Sequence, residues 1–445
     1  MIRFIILFFV ISLSIFTLAS DNILDISEVS LVVLSGIIVL DYFDKKSLSL
    51  FQVWLVGFIF IILSEAILID PGKNILQAIR FLTIANNLMI IGYHMPIRYK
   101  SKYFNSNFNQ TKISKWTPFI LLLLIGIYIL HTLPWVILTF SVGRDYAAEI
   151  LYKESNLFIN SFFSSLQYIL PSIIVFYYKE IKKKESIIIP LLLSAPIFVL
   201  LFIGGTRFPL LFSFGGFLIV SQANYTGRIT ISLKLIGLIF LLVISSFLMG
   251  QFRSDGLANF DYQNNQVDTD KRFSEQIASN MSPEGVVDMT ALSMTYFETH
   301  PHTYGKSIAF LTYFWVPRSI WPDKPTMLGH WMIRKYRSGF GEGHSSSFGF
   351  TGELFADFGY FSLFFVFLLG VLLKRADMYR AFQLAQPMSY SKILVAMMFS
   401  YVFFFVRSPV TSSINFIGIL IVYSLIRRLL FKKLNTKTVI KNSLN

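Results

Sequence analysis

Long apolar runs recur along the whole chain, and nothing constrains its fold more. A helix needs about 20 mostly apolar residues to cross the hydrocarbon core of a bilayer. Runs that meet or approach this length lie at 3–19, 24–40, 51–69, 75–93, 117–139, 157–178, 187–203, 207–222, 229–249, 349–373, 390–406 and 411–431. That core offers backbone groups no water, so each run must close its own hydrogen bonds as a helix. The expected fold class is an all-α polytopic membrane protein with about twelve transmembrane helices (range about 11–13). Composition agrees: 54% of the 445 residues are hydrophobic and only 14% charged, too little charge to clothe a soluble protein of this size. There is no cysteine, which excludes disulfides, thiolate metal sites and thiol nucleophiles.

Lys and Arg gather in alternate connections. One side holds Lys45 and Lys46, then Arg98, Lys100, Lys102, Lys112 and Lys115, then Lys179 and Lys182 to Lys184, then Arg228, then Lys374, Arg375 and Arg380. Arg3, Lys234, Lys392 and the tail from Arg427 to Lys441 join them. The opposite short connections hold Lys73, Arg144, Lys153, Arg207 and Arg407. Cytoplasmic loops carry the excess of cations, so both termini are expected in the cytoplasm, as an even number of spans requires. The net charge of +14 is thus a topology signal and does not point to nucleic acid. Residues 2–20 resemble a signal peptide, but Leu18 is bulky for the position before a cut and the apolar run is long. An uncut first span is expected.

Four regions follow: N-terminal membrane helices over 1–249 (about nine spans), an extracytoplasmic loop over 250–348, C-terminal membrane helices over 349–431 (about three spans), and a cytoplasmic basic tail over 432–445. The loop carries His300, His302, His330 and His344, and it is nearly neutral, so it is no polybasic arm. Residues 255–270 read as a polar surface loop, Phe273 to Phe297 as weakly helical with Pro283 at a helix start, and Tyr304 to Trp315 as apolar enough to dip into the interface. No internal repeat is visible, which weakens a transporter fold built from duplicated halves.

Between Phe314 and Pro325 stand Trp315, Pro317, Arg318, Trp321, Pro322, Lys324 and Pro325. Prolines this close forbid a regular helix, because each lacks an N–H and restricts its predecessor. Irregular backbone beside a membrane domain survives where it is buried in protein or lines a wet cavity. Two cations and two tryptophans on such a turn suggest a fixed anion site at a membrane surface.

Pro317-Arg318 followed by Trp321-Pro322-x-Lys324-Pro325 resembles the extracytoplasmic signature of bacterial oligosaccharide repeat-unit polymerases, the Wzy proteins of O-antigen and capsule pathways. Gly204-Gly205-Thr206-Arg207 resembles the family's small-residue turn ending in Arg, and Ser345 to Gly359 the segment that leads back into the membrane. The resemblance covers most of the chain. It implies a glycosyltransferase of the GT-C type in the bacterial cytoplasmic (inner) membrane, needing no cofactor. Its partners would be undecaprenyl-diphosphate-linked oligosaccharide donor and acceptor, the lipid bilayer and a chain-length regulator protein, with no nucleic acid.

The leaving group would be a lipid diphosphate and the transition state at the sugar oxocarbenium-like. Such a site needs cations on the diphosphate, a base for the acceptor hydroxyl, and aromatic walls for sugars. Arg207, Arg318, Lys324, Arg407 and Arg337 are the diphosphate candidates. Arg and Lys can supply that charge without a metal. The competing reading for Arg207 and Arg407 is a side chain snorkelling to headgroups. For the base, Glu353 lies where a lone carboxylate is costly, and His344 has the right intrinsic pKa on a Gly-rich approach. Trp315 and Trp321 are the candidate sugar-binding residues.

Glu298, His300 and His302 have spacing that could suit a metal, but spacing alone says little, and no metal site is expected. Glu65 and Arg80 flank the turn at Asp70-Pro71-Gly72 at similar depth and are expected to pair across that hairpin. One rival shares the architecture, an O-antigen ligase that uses a lipid A core acceptor; another, from a different class, is a lipid-linked oligosaccharide flippase or transporter. A transporter should keep its polar residues near the midplane, whereas here they gather at the outer boundary.

Overall fold

A computed structural model describes residues 2–69, 74–96, 111–144, 146–147, 150, 157–183, 186–222, 229, 237, 244–245, 249, 256–258, 285–316, 320–336, 348–386, 390–410 and 413–433. The apolar runs become helices α1 (Ile2–Ala19), α2 (Ile23–Lys45), α3 (Leu50–Leu68), α4 (Ile75–His94), α5 (Thr117–Val142), α6 (Leu157–Phe176), α7 (Ile188–Ile203) and α8 (Arg207–Gln222). The run at 229–249 lies largely outside the described residues. The loop contributes α9 (Val286–Phe297), α10 (Lys306–Tyr313) and α11 (Leu328–Tyr336). Then come α12 (Gly349–Phe358), α13 (Ser362–Ala385), α14 (Ser391–Arg407) and α15 (Ser413–Leu430). Helix starts follow local chemistry. The Asn22 side chain caps α2, and Ser49 with Gln52 forms a reciprocal capping box on α3. Inside α3 the backbone widens to a π-turn over Ile59–Leu63.

The run expected as one span at 349–373 is divided. Gly359 ends α12 at φ 57°, a short 3-10 turn follows, and α13 begins at Ser362. A Cβ on Gly359 would stand 2.7 Å from Nε2 of His302. Both the dihedral and the close approach demand glycine there.

The helix ends sort into two faces. At one, Asp377 accepts hydrogen bonds from the Leu50 amide (2.9 Å) and the Tyr93 hydroxyl, and pairs with Arg380 at 2.7 Å. Asp41 there pairs with Lys45, and Gln52 donates to it. Glu180 and Lys392, both buried, pair at 2.6 Å, and strands β1 (Thr111–Ile113) and β2 (Phe431–Lys433) pair antiparallel. Each of these buried charges faces an opposite one, which offsets the cost of taking it out of water. The other face carries the described loop helices. Asn74 bonds Thr295, the Ala258 amide donates to the Phe140 carbonyl, and Phe81 packs on Phe355. Loop and basic connections therefore stand at opposite ends of the bundle.

The tightest crossing joins α4 and α13. A Cβ on Gly370 would lie 2.1 Å from the Met89 carbonyl oxygen, and one on Gly92 2.2 Å from that of Phe367. Small residues at such points let helix backbones touch, the usual basis of packing where lipid offers no hydrophobic drive.

The expected Glu65–Arg80 pair is replaced. Arg80 donates to the Ser20 carbonyl and pairs with Asp21 at 2.6 Å. Glu65 Oε1 accepts the amides of Val287 (3.0 Å) and Asp288 (3.1 Å). The first amides of a helix lack intrahelical partners and its N-terminus is electropositive, so α9 takes the carboxylate.

Candidate active site

Helix α12 forms the floor of the loop-side face. Glu353, midway along it, is completely buried, and the helix packs between α9 and α14. Its ten residues span roughly 15 Å.

At its N-terminal end several elements converge. A Cβ on Gly349 would stand 2.7 Å from the Val406 carbonyl oxygen and 2.8 Å from Val286. The starts of α12 and α9 thus meet the end of α14. There the Arg407 guanidinium lies over the Phe208 ring, 4.1 Å from its centre. Phe208 follows Arg207, the first residue of α8, so the ends that carry Arg207 and Arg407 adjoin. The turn before α8 uses Gly205 at φ 62°, and the Arg144 side chain runs past it, 3.5 Å from where a Cβ would be. Gly204 lies against the indole of Trp135 in the same way. Arg407 and Arg144, cations rare on this face, are therefore both close to the start of α8.

The proline-rich turn belongs to the other end of α12. Thr303 and Tyr304 donate their amides to the carbonyls of Ala356 and Asp357. The Thr303 hydroxyl and, at 3.3 Å, the Ser307 amide donate to Oδ1 of Asp357, so this carboxylate also holds the first turn of α10. Asp357 is itself fully buried, and together with burial it pushes the Tyr313 phenol above its ordinary range. From α10 the chain enters the turn. The Lys324 ammonium, buried, donates to the carbonyls of Phe314 (3.0 Å) and Val316 (2.9 Å). It satisfies carbonyls that no helix bond can reach beyond α10. Trp321 tilts against Tyr313, ring centres 5.3 Å apart, while Trp315 exposes its ring and donates Nε1–H to the Thr312 carbonyl.

Arg207 and Arg407 thus fall together, Lys324, Trp315 and Trp321 fall together, and Glu353 stands between the two groups. Arg318, Arg337 and His344 lie outside the described residues, as does the side chain of Arg207. His300 and His302 diverge: one stacks on Tyr296, the other on Phe297. Sequence reasoning missed three residues here. Arg144 carried a usable signal, as a cation on the cation-poor side. Asp357 carried a weaker one, four residues after Glu353 and hence on the same helical face. Glu65 stood out only as an intramembrane charge and was given the wrong partner.

A family model described as O-antigen polysaccharide polymerase Wzy matches residues 1–438. The chain belongs to this family. It is accordingly an integral membrane protein with an O-antigen polymerase role, and its substrates are lipid-linked oligosaccharides. No curated protein and no solved structure matches it. The residue roles below therefore rest on this chain's own geometry.

Proposed function

We propose that this Wzy-family member transfers a growing glycan from undecaprenyl diphosphate onto the terminal sugar of a new lipid-linked repeat unit, at the outer face of the cytoplasmic membrane. The observation that carries the reading is that Arg407, whose backbone adjoins the N-terminal end of α12, lies over Phe208 at the start of α8, beside the turn that the Arg144 side chain passes, with Glu353 buried one turn along α12. Arg407, Arg207 and Arg144 hold the diphosphate as it departs, and Arg318 and Arg337 are further candidates for the same role. Guanidinium groups grip phosphate oxygens in two-pronged fashion and stabilise the charge that develops on the leaving oxygen. Glu353 takes the acceptor hydroxyl's proton as general base. His344 is the second candidate for that step. Trp321 and Tyr313 wall the sugar, with Trp315 at the rim. Lys324 positions the turn through its two carbonyl bonds. A chain-length regulator would act on the same loop face.

The orientation rests on the cation distribution, and the loop's place at the cation-poor end of the bundle supports it. The decisive experiment mixes purified protein with a defined undecaprenyl-diphosphate-linked repeat unit and resolves the products by size. A ladder of longer glycans, formed equally with a chelator present, is expected. Glu353→Gln should bind the lipid diphosphate and make no ladder. A single product on a lipid A core acceptor, without a ladder, would mean a ligase instead.

A further inference from the structure

Away from α12, helices α9 and α11 turn a second face outward. Their inner sides share a small core of Met289, Phe297, Leu328 and Met332, closed by Phe348 and Ala356. On the outer side Tyr296 and His300, one turn apart, stack with ring centres 4.1 Å apart and planes 14° apart. Trp331 stands against Tyr296 at 5.2 Å and 76°, and Tyr336 at 6.0 Å and 73°. The Lys335 ammonium lies 4.5 Å from the Tyr296 centre, 5.1 Å from Trp331 and 5.7 Å from Tyr336. Tyr336 remains 42% exposed, His300 and Lys335 are exposed, and Tyr296 and Trp331 are half-buried.

We propose that Tyr296, Trp331, Tyr336 and Lys335 form a saccharide-binding platform that holds the glycan being lengthened. This rests on the polymerase reading. His300 and Lys335 cover Tyr296, so the ring surface left to a guest is that of Tyr336 and the exposed part of Trp331. Such a surface favours a guest with one apolar face and a polar rim, which describes a pyranose. A cation already over the rings repels a cationic guest and leaves N–H donors for hydroxyls or a sugar carboxylate. Position agrees. Along α9, Tyr296 is six residues beyond Thr290, whose hydroxyl touches Gly352 of α12, a rise of about 9 Å. A sugar on the platform would thus lie farther along α9 than the point where that helix meets α12, which suits a chain already made.

The test titrates purified full-length protein with repeat-unit oligosaccharide freed from its lipid by mild acid, using calorimetry, and sizes polymer made from the lipid-linked unit. Tyr296→Ala and Trp331→Ala should each weaken oligosaccharide binding on the order of tenfold and shorten the polymer. Trp331→Phe, which keeps an aromatic face, should restore most of both. Lys335→Gln, a surface change that leaves the fold intact, should weaken binding severalfold and keeps the test decisive should an Ala variant fold poorly. Unchanged affinity and chain length in folded Trp331→Ala and Lys335→Gln would overturn the platform. If wild type makes no polymer, the polymerase reading falls, while the oligosaccharide titration still judges the platform.

Discussion

The crossing of α4 and α13 offers a perturbation with built-in controls. Alanine at Gly370 would bring its Cβ to 2.1 Å from the Met89 carbonyl oxygen and 2.8 Å from the Tyr93 amide nitrogen. Both are backbone atoms, so no rotamer change gives relief, and the helices must part by about 1 Å where packing is crystal-tight. Overpacking of this kind costs about 1–3 kcal/mol, and the parted helices also lose dispersion contacts along the crossing. Set against that, alanine in a helix gains about 1 kcal/mol over glycine. The backbone clash wins at Gly370 and, with 2.2 Å to the Phe367 carbonyl oxygen, at Gly92. It does not arise at Gly36 or Gly126, where a Cβ would meet nothing within 4 Å. Gly370→Ala and Gly92→Ala should therefore lower the melting temperature of detergent-purified protein by several degrees, while Gly36→Ala and Gly126→Ala hold or raise it. Polymer yield should follow the first pair, because α13 continues directly from α12 and its buried Glu353. Equal melting of all four variants would refute the assignment of this crossing as a backbone contact.

Other outcomes follow from the site. Glu65→Ala removes the acceptor of two amides at the start of α9 and should cost about 2–4 kcal/mol, read as a lower melting temperature and faster amide exchange in 286–290. Glu65→Gln, which keeps the accepting oxygen, should cost less, and no difference between the two would remove the capping role. Arg407→Ala and Arg144→Ala should suppress polymer at normal protein level, with Lys at either position giving partial activity at most. Full polymer length in both Ala variants would return these residues to interfacial anchors. Lys324→Met should reduce both activity and protease resistance of 314–325, since its ammonium holds that turn's carbonyls. Lost activity with an unaltered cleavage pattern would instead make it a direct ligand.

Legibility in the sequence tracked the range of the interactions concerned. Helix existence was readable because a bilayer forces each apolar run to bond internally, and α1 to α8 begin and end close to the expected bounds. The break at Gly359 was not, because it depends on His302, distant in sequence, pressing where a side chain would stand. The grouping of Arg207 with Arg407 was foreshadowed by their shared rarity on the cation-poor side. The partner of Glu65 was not, since hydropathy reveals that a buried charge needs compensation without saying whether a cation or a helix end provides it. Lys324 was legible as special, but its carbonyl bonds depend on how the prolines fold the turn.

The placement of these groups bears on how one membrane face manages two lipid-linked substrates. A polymerase must hold a departing diphosphate and an accepting sugar at once, and like charges on the two lipids would repel if both were bound by one patch. Under the proposed function α12 would separate the duties by its length, with Arg407 near its N-terminal end and the aromatic turn anchored through Asp357 at the other. Glu353 lies between them along the helix, and under the proposed mechanism it would take the acceptor hydroxyl's proton there. The helix is held at both ends by separate parts of the loop, with Val286 packed close to Gly349 and the Thr303 hydroxyl bonded to Asp357. Contacts at both ends fix where the carboxylate stands, and a fixed position is what charge stabilisation in a transition state requires.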